Sequence, residues 1–193
     1  MRILHTSDWH IGKRLMGRER LDEQSAALDE IVGICEREEV ELVLVAGDIF
    51  DTYLPSAEAE DLFFSKIKAM AGEDRAVLLI SGNHDDGVRL SAAAPLSEEL
   101  GIYIVGNARK PLPINARRRV RPVRSGAGFA VFENDRGEKA FVNALPYPNE
   151  ARFKEEKSDL SFAERMKKWI DEGEAENPER LPSVFLSHIF VVG

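Results

Sequence analysis

The sequence predicts an α/β (α+β) fold, a layered sandwich of two mixed β-sheets flanked by helices. Short runs rich in Val, Leu and Ile alternate with longer amphipathic stretches, which is the pattern of strands joined by helical crossovers. The segment "GFAVFENDRGEKAFVNALP" predicts an antiparallel hairpin that turns at 135–137. At 193 residues, the chain suits one domain with a sizeable core.

Five strands are expected outside the hairpin, at "RILHTSD", "VELVLVAGD", "RAVLLISGN", "IYIVG" and "SVFLSH". The second and third are dense enough in Val and Leu to be buried on both faces of a sheet. The segment "NARKPLPINARRRVRPVRSGAG" contains three prolines and a run of charge. These residues oppose a regular buried element and favour loops or an edge strand.

Four helices are expected between these strands. The first covers 21–38, where apolar side chains recur at helical spacing from Leu28 to Cys35. The second begins after Ser56, a residue type that caps helix N-termini well. The other two are expected at about 90–100 and at 161–170.

The composition limits the classes of function. A formal net charge of −8 argues against a protein that binds nucleic acid through a uniformly basic surface. The arginine cluster at 117–124 is interpreted first as a solvated face and second as a phosphate contact. A single cysteine, Cys35, excludes an internal disulfide and a Cys-rich zinc site. This cysteine usage predicts a cytoplasmic protein, and no stretch is long and apolar enough to span a membrane.

Polar side chains follow four of the predicted strands, at the point where each strand ends. They are Asp8 and His10, Asp48, Asn83 and His84, and His188. In sheets with helical crossovers, ligand sites gather at the carboxyl ends of the strands. Carboxylate, amide and imidazole ligands without thiolate suit Mn²⁺, Fe²⁺ or Zn²⁺. A carboxylate between two ligand groups can bridge two ions about 3.5–4 Å apart, the spacing used for phosphoryl displacement.

The blocks "SDWH", "GDIFD" and "GNHD", with a later strand ending in His, resemble the signature of the calcineurin-like metallophosphoesterases. The longer strings "ILHTSDWHIGK", "LVAGDIFDT" and "GNHDDGVRLS" resemble the nuclease subunits of SbcCD-type complexes. This resemblance implies two-metal phosphodiester hydrolysis of DNA ends and hairpins in DNA repair. It also implies an SbcC-like ATPase subunit as partner and a homodimer formed through helices such as 56–71 and 90–100.

The resemblance implies a role for each site residue. Asp8 and His10 would hold the first metal, Asn83 and His188 the second, and Asp48 both; His84 would be the catalytic histidine, with Asp85 orienting its imidazole and Asp51 bracing the loop after Asp48. Manganese is the expected metal, with magnesium, iron and zinc as alternatives. Four basic residues follow the first motif, and Lys13 and Arg14 are the candidates for contact with DNA phosphate.

The sequence departs from the family pattern near its end. Family members continue to a Gly-x-His turn that adds imidazoles to both metals, and to a DNA-capping domain and an ATPase-binding segment. We therefore expect 1–193 to be a C-terminally incomplete nuclease core with weaker metal binding and reduced activity. Two alternatives stay open: a phosphoesterase acting on small molecules or phosphoproteins, and a non-catalytic scaffold with the same fold.

Overall fold

The computed structural model describes residues 1–106, 110–114, 117–148 and 160–190, and the strands in these ranges form two four-stranded sheets. The strands are β1 (Ile3–Thr6), β2 (Leu42–Ala46), β3 (Ala76–Ile80), β4 (Ile102–Val105), β5 (Arg121–Gly126), β6 (Phe129–Glu133), β7 (Lys139–Leu145) and β8 (Ser183–Ser187). The helices are α1 (Leu21–Arg37), α2 (Ala57–Ala71), α3 (Gly87–Ser91), α4 (Ala94–Ser97) and α5 (Phe162–Ala175). The predicted α/β sandwich is confirmed.

The two sheets differ in how their strands run. The first sheet has the order β1-β2-β3-β4, and all of its described pairings are parallel. The second has the order β5-β6-β7-β8, with antiparallel pairing up to β7 and a parallel β8. The expectation of two mixed sheets therefore holds for the second sheet only. Helices connect the strands of the first sheet and so return the chain to the same edge, whereas tight turns join β5, β6 and β7.

Strand β2 shows how the layers are held together. All five of its residues are buried. Val43 and Val45 pack against the helices α1 and α2, while Leu42 and Leu44 point the other way and pack against the second sheet. This alternation follows from the two-residue period of a strand. It confirms that β2 is buried on both faces and that the main core lies on each side of the first sheet.

The prediction of one continuous helix at 90–100 is wrong. Asp86 caps a short helix, α3, with its side chain accepting hydrogen bonds from Val88 and Arg89. Helix α4 then begins next to Pro95, and a 3₁₀ turn completes the segment. Because proline has no N–H to donate to the preceding turn, it is placed at a helix start and not inside one long helix.

The remaining elements follow the sequence closely. The hairpin turns between Asn134 and Glu138, whose backbones are joined by a hydrogen bond of 3.1 Å. Ser161 begins α5 with a capping box shared with Glu164. Part of the proline-containing segment lies outside the described residues, and its later part forms β5, an edge strand with an irregularity after Pro122. Within the described ranges, every helix is too short or too polar to cross a lipid bilayer.

Candidate metal centre

The loops that follow β1 and β2 lie side by side at the carboxyl edge of the first sheet. The backbone N–H of Asp8 donates to the carbonyl of Gly47 over 3.1 Å. The N–H of His10 donates to the carbonyl of Asp48 over 3.0 Å. The parallel pairing of the two strands is thus continued into their loops. Two predicted ligands of the first loop are thereby fixed beside the predicted ligand of the second.

The backbone of these loops is strained at the predicted ligands. The φ angles are 57° at Asp8, 45° at His10 and 51° at Asp48, all in the left-handed region. A residue other than glycine in this region costs about 1–3 kcal/mol and persists only where its surroundings fix it. Such strain concentrates at functional sites. Three of the six described residues other than glycine that have a positive φ are thus predicted metal ligands.

Glycines allow the loops after β2 and β3 to touch. A Cβ at Gly82 would lie 2.1 Å from Oδ1 of Asp48, and one at Gly47 would lie 2.6 Å from Cα of Gly82. Gly47 also has a φ of +82°, which disfavours any side chain there. The two backbones are therefore close because neither glycine carries a side chain. This contact brings the loop after β3 onto Asp48.

Asp48 lies at the centre of the cluster and is only 3% exposed. Its Oδ1 accepts a hydrogen bond of 2.9 Å from the backbone N–H of His84. Its Oδ2 lies 3.5 Å from Nε2 of His10 and 3.5 Å from Nε2 of His188. One oxygen is thus fixed by the backbone, while the other faces imidazoles that come from two different sheets. A carboxylate placed in this way is a candidate for a ligand shared by two ions.

Two of the three histidines of the cluster are held by hydrogen bonds at Nδ1. Nδ1 of His188 lies 2.7 Å from the carbonyl oxygen of Ala46, and Nδ1 of His84 lies 2.8 Å from that of Asp51. Nδ1 of His10 lies 3.2 Å from the Asp51 carboxylate. Nδ1 of His10 makes no hydrogen bond among the described residues. Because a carbonyl oxygen can only accept, Nδ1 carries the hydrogen and Nε2 keeps its lone pair in His84 and His188. Metal-binding histidines in proteins are held in this way.

These donors fit a pair of divalent ions. Two sets of three side chains have ligand atoms within 4.8 Å of one another, and Asp48 belongs to both sets: His10, Asp48 and His84, and Asp8, Asp48 and His188. The amide oxygen of Asn83 is a further possible metal ligand and lies 2.9 Å from Nε2 of His188. Nitrogen and oxygen donors without sulfur suit Mn²⁺, Fe²⁺ or Zn²⁺. The predicted division of the ligands between the ions differs from these two sets, and it stays a prediction.

Asp85 occupies a different place from the one expected. Its carboxylate is buried and accepts hydrogen bonds from the backbone N–H groups of Ile49, Phe50 and Gly82, over 2.8–3.2 Å. Burial raises the pKa of this carboxyl, and the three N–H groups counteract that shift. Asp85 therefore braces one ligand loop against another. The acceptor at Nδ1 of His84 is a backbone carbonyl, which the sequence alone does not reveal.

The two predicted phosphate-binding residues are placed differently. Nζ of Lys13 lies 3.6 Å from the Asp51 carboxylate, directly beside the cluster. Arg14 instead makes contacts within its own loop, with the carbonyl of Gly17 at 2.9 Å and the carboxylate of Glu19 at 3.5 Å. Lys13 therefore lies at the site, whereas the side chain of Arg14 contacts Gly17 and Glu19 of its own loop.

The arginine cluster lies in a region rich in ion pairs. The pairs are Arg119 with Asp74 and Asp135, Arg121 with Glu133, and Arg124 with Glu176. Arginines whose charge is already matched by carboxylates are poorly suited to bind phosphate. The solvated-face interpretation is the one that these contacts support.

Tyr147 is a site residue that the sequence reasoning did not single out. Its ring lies 6.1 Å from the imidazole of His188, at an angle of 72°. Its backbone N–H donates to the carbonyl of Ser81, at the end of β3, over 2.8 Å. The available signal was an aromatic residue between two prolines directly after a buried strand, in "LPYP".

Comparison with known proteins adds a family and two relatives. The model of the calcineurin-like phosphoesterase family matches residues 1–192. The SbcD subunit of the SbcCD nuclease from Bacillus subtilis (strain 168) is 38% identical over 203 residues, which cover the whole chain and 48% of the relative. The SbcD subunit of the SbcCD nuclease from Rhodobacter capsulatus is 40% identical over 157 residues, which cover 78% of the chain and 36% of the relative. The chain thus spans about half or less of the length of these relatives.

Proposed function

The chain belongs to the calcineurin-like phosphoesterase family, and from this membership we propose that it is a metal-dependent nuclease that hydrolyses phosphodiester bonds in DNA. One observation carries the proposal: Oδ2 of Asp48 faces Nε2 of His10 and of His188 at 3.5 Å each. A buried carboxylate shared in this way suits two-metal hydrolysis, and the two similar nuclease subunits favour DNA as the substrate.

The ligands would be divided as the sequence predicts. Asp8 and His10 would hold one ion, Asn83 and His188 the other, and Asp48 both. Manganese is the expected metal, with magnesium, iron and zinc as alternatives. Two divalent ions, when bound, would supply an activated water and neutralise charge on the phosphate. The hydrogen bond at Nδ1 of His188 keeps its Nε2 lone pair directed into the site, so this ligand needs little rearrangement for binding.

His84 is proposed as the catalytic histidine. Its Nδ1 hydrogen stays with the carbonyl oxygen of Asp51, so only Nε2 is available to the substrate. In the protonated imidazole, Nε2–H can be given to the sugar oxygen that leaves the phosphate. The His10 ring packs edge-on against His84, with ring centroids 4.9 Å apart, and limits its rotation. Asp85 acts as a positioning residue, because it fixes the loop that carries His84.

The biological setting is proposed from the resemblance. The chain would be the nuclease core of an SbcD-like subunit that processes DNA ends and hairpins beside an SbcC-like ATPase, in the cytoplasm. A homodimer is proposed through α2 and through the segment 90–100, which contains the end of α3, α4 and the 3₁₀ turn. On these helices and directly before them, Tyr53, Leu54, Phe64, Val88 and Leu96 are 47–85% exposed, which is an unusual amount of apolar surface near one site.

Manganese binding and hydrolysis test this proposal together. Calorimetry on the chain is expected to show two weak Mn²⁺ sites. Asp48→Asn is expected to weaken both by at least about 10–100-fold, the loss typical of disturbing even a residue behind a ligand. Asp86→Asn is the matched control, since Asp86 is an exposed helix cap beside the site. Equal binding by the Asp48 variant and the wild type would contradict the shared-ligand argument.

The substrate is decided by three parallel assays with Mn²⁺. Hairpin DNA, a nucleotide monoester and bis-p-nitrophenyl phosphate are offered to the same preparation. Cleavage of hairpin DNA that is lost in Asp48→Asn is the expected result. Hydrolysis of the monoester alone would favour a phosphoesterase for small molecules. Metal binding without any hydrolysis would favour a non-catalytic scaffold.

A further inference from the structure

A tight hairpin projects from the loop that carries Asp8 and His10. Leu15 and Arg18 are joined by two backbone hydrogen bonds, of 3.0 and 2.9 Å. The two residues between them, Met16 and Gly17, have φ angles of 49° and 78°. Two reciprocal bonds and two central residues with positive φ define a type I′ turn.

Methionine is a poor choice for the first position of this turn. Type I′ turns favour Asn, Asp or Gly there, because their side chains tolerate the left-handed conformation. Met16 is also 96% exposed, so its side chain stabilises nothing within the described fold. Neither local stereochemistry nor packing accounts for an apolar side chain at this point.

The surroundings of the turn are basic. Residues 13–20 contain four Lys or Arg side chains and one Glu, whereas the whole chain has a net charge of −8. Lys13, Arg14 and Arg20 lie within ion-pair distance of Asp51, Glu19 and Glu23, so their charges are already matched. Within the described part of the chain, Arg18 has no carboxylate within ion-pair distance. Leu15, beside Met16, is 58% exposed. An apolar tip with an arginine whose charge is not matched by a carboxylate beside it is complementary to stacked bases flanked by phosphates.

The hairpin is fixed to the metal centre at its base. The backbone N–H of Lys13 donates to the carbonyl of His10 over 3.0 Å. The side-chain amide of Gln24 donates to the same carbonyl over 2.6 Å and accepts from the N–H of Gly12 over 3.1 Å. The tip therefore keeps a constant position relative to His10. A nucleic acid held at the tip is also held at a defined distance from the ions.

We infer that Leu15 and Met16 form an apolar wedge that packs against the terminal base pair of a DNA duplex, while Arg18 contacts its backbone. The inference rests on the proposed nuclease function and deepens it, since it makes a duplex end the structure that the site recognises. Packing of an apolar side chain against or between bases weakens their stacking and opens the end of the duplex. The strand released in this way lies beside the metal centre.

Fluorescence of 2-aminopurine in the terminal base pair tests the wedge directly, because this base becomes brighter when it is unstacked. The wild-type chain is expected to raise the signal of a blunt duplex by at least about threefold, since wedge residues unstack the step they enter. Met16→Asn is expected to abolish most of this rise. It introduces Asn-Gly, the sequence that type I′ turns favour, so the hairpin is retained. Ile114→Asn is the control: Ile114 is 63% exposed and lies outside the hairpin and the proposed dimer helices, and its variant is expected to match the wild type.

The basic part of the inference has its own measurement. Arg18→Gln is expected to lower the slope of log affinity against log salt concentration by about 0.9, the value for one lost phosphate contact. An equal signal rise in Met16→Asn and the wild type, or no rise in the wild type, would overturn the wedge. A Met16→Asn variant that changed only the sedimentation of the chain would assign the tip to protein contact and also overturn it.

The two proposals fail in distinguishable ways. The fluorescence measurement is made without metal, so it does not depend on hydrolysis. A signal rise without Mn²⁺-dependent cleavage would retain the wedge and remove the nuclease. Cleavage with no difference between Met16→Asn and wild type in fluorescence would retain the nuclease and remove the wedge.

Discussion

Replacing Asp85 by alanine is expected to destabilise the chain and weaken its metal site together. The carboxylate accepts hydrogen bonds from three backbone N–H groups, those of Ile49, Phe50 and Gly82, and is 1% exposed. Alanine leaves all three donors without their acceptor. A buried donor that loses its partner costs about 1–3 kcal/mol, so the gross loss is about 3–9 kcal/mol.

Two effects reduce this loss. Burial raises the pKa of the Asp85 carboxyl, which means that keeping its charge in the interior is itself unfavourable. Water can also enter the space left by the carboxylate and pair with some of the N–H groups. We expect a net decrease of about 3–5 kcal/mol in the free energy of unfolding, a large fraction of the total for a domain of this size.

Urea denaturation measures the stability, and calorimetry with Mn²⁺ measures the site. Asp86→Ala is the matched control, because the neighbouring carboxylate is exposed and caps a short helix, a role worth about 1 kcal/mol. Asp85→Asn, which keeps one acceptor oxygen, is expected to fall between the two. A loss in Asp85→Ala no larger than that in Asp86→Ala would refute the argument that this side chain braces the ligand loops.

Two further predictions concern a glycine and a surface carboxylate. Gly82→Ala would place a Cβ 2.1 Å from the buried carboxylate of the metal centre; we expect a loss of about 2–3 kcal/mol in urea denaturation and weaker Mn²⁺ binding. Gly33→Ala, where a Cβ meets nothing within 4 Å, should instead stabilise α1; equal effects of the two would contradict the close approach. Hydrogen bonds from Arg136 are the main reason that the pKa of Glu138 is lowered from 4.5 to about 2. The ionised Glu138 carboxylate stabilises the fold at pH values above the carboxyl pKa of the unfolded chain, and this stabilisation is lost as the pH falls. The difference in Tm between wild type and Glu138→Gln should therefore shrink from pH 4.5 to 2. Glu99→Gln is the control, since Glu99 has no ion pair among the described residues, and a difference in Tm that does not depend on pH would contradict the assignment.

The elements that the sequence predicted are those whose signal is local. The Val-rich run of β2 has one solution, burial on both faces, and the helix cap at Ser56 depends on a hydrogen bond to Ala59 only three residues away. The cluster around Asp48 was predictable because parallel strands deliver their carboxyl ends to one edge. These inferences need no knowledge of distant contacts.

The features that were missed depend on distant backbone. The sequence shows that Asp85 is next to a histidine, but the three N–H groups that it binds are fixed only when the loops after β2 and β3 meet. The position of Tyr147 beside His188 likewise requires β7 and β8 to be parallel neighbours. Pro95 is a local signal for the end of a helix, but the prediction of one helix at 90–100 gave more weight to the apolar pattern of the segment.

The placement of His188 connects the candidate metal centre to the packing of the two sheets. It comes from the second sheet, yet its imidazole touches the carbonyl of Ala46 and faces Asp48, both from the first. An ion bound by Asp48 and His188 would therefore hold the two sheets together. Metal binding and the packing of the two sheets against each other would then be linked, and the added stability would grow with the logarithm of the free metal concentration. Removal of the ions by a chelator would therefore lower the stability of the whole fold and not only the activity of the site.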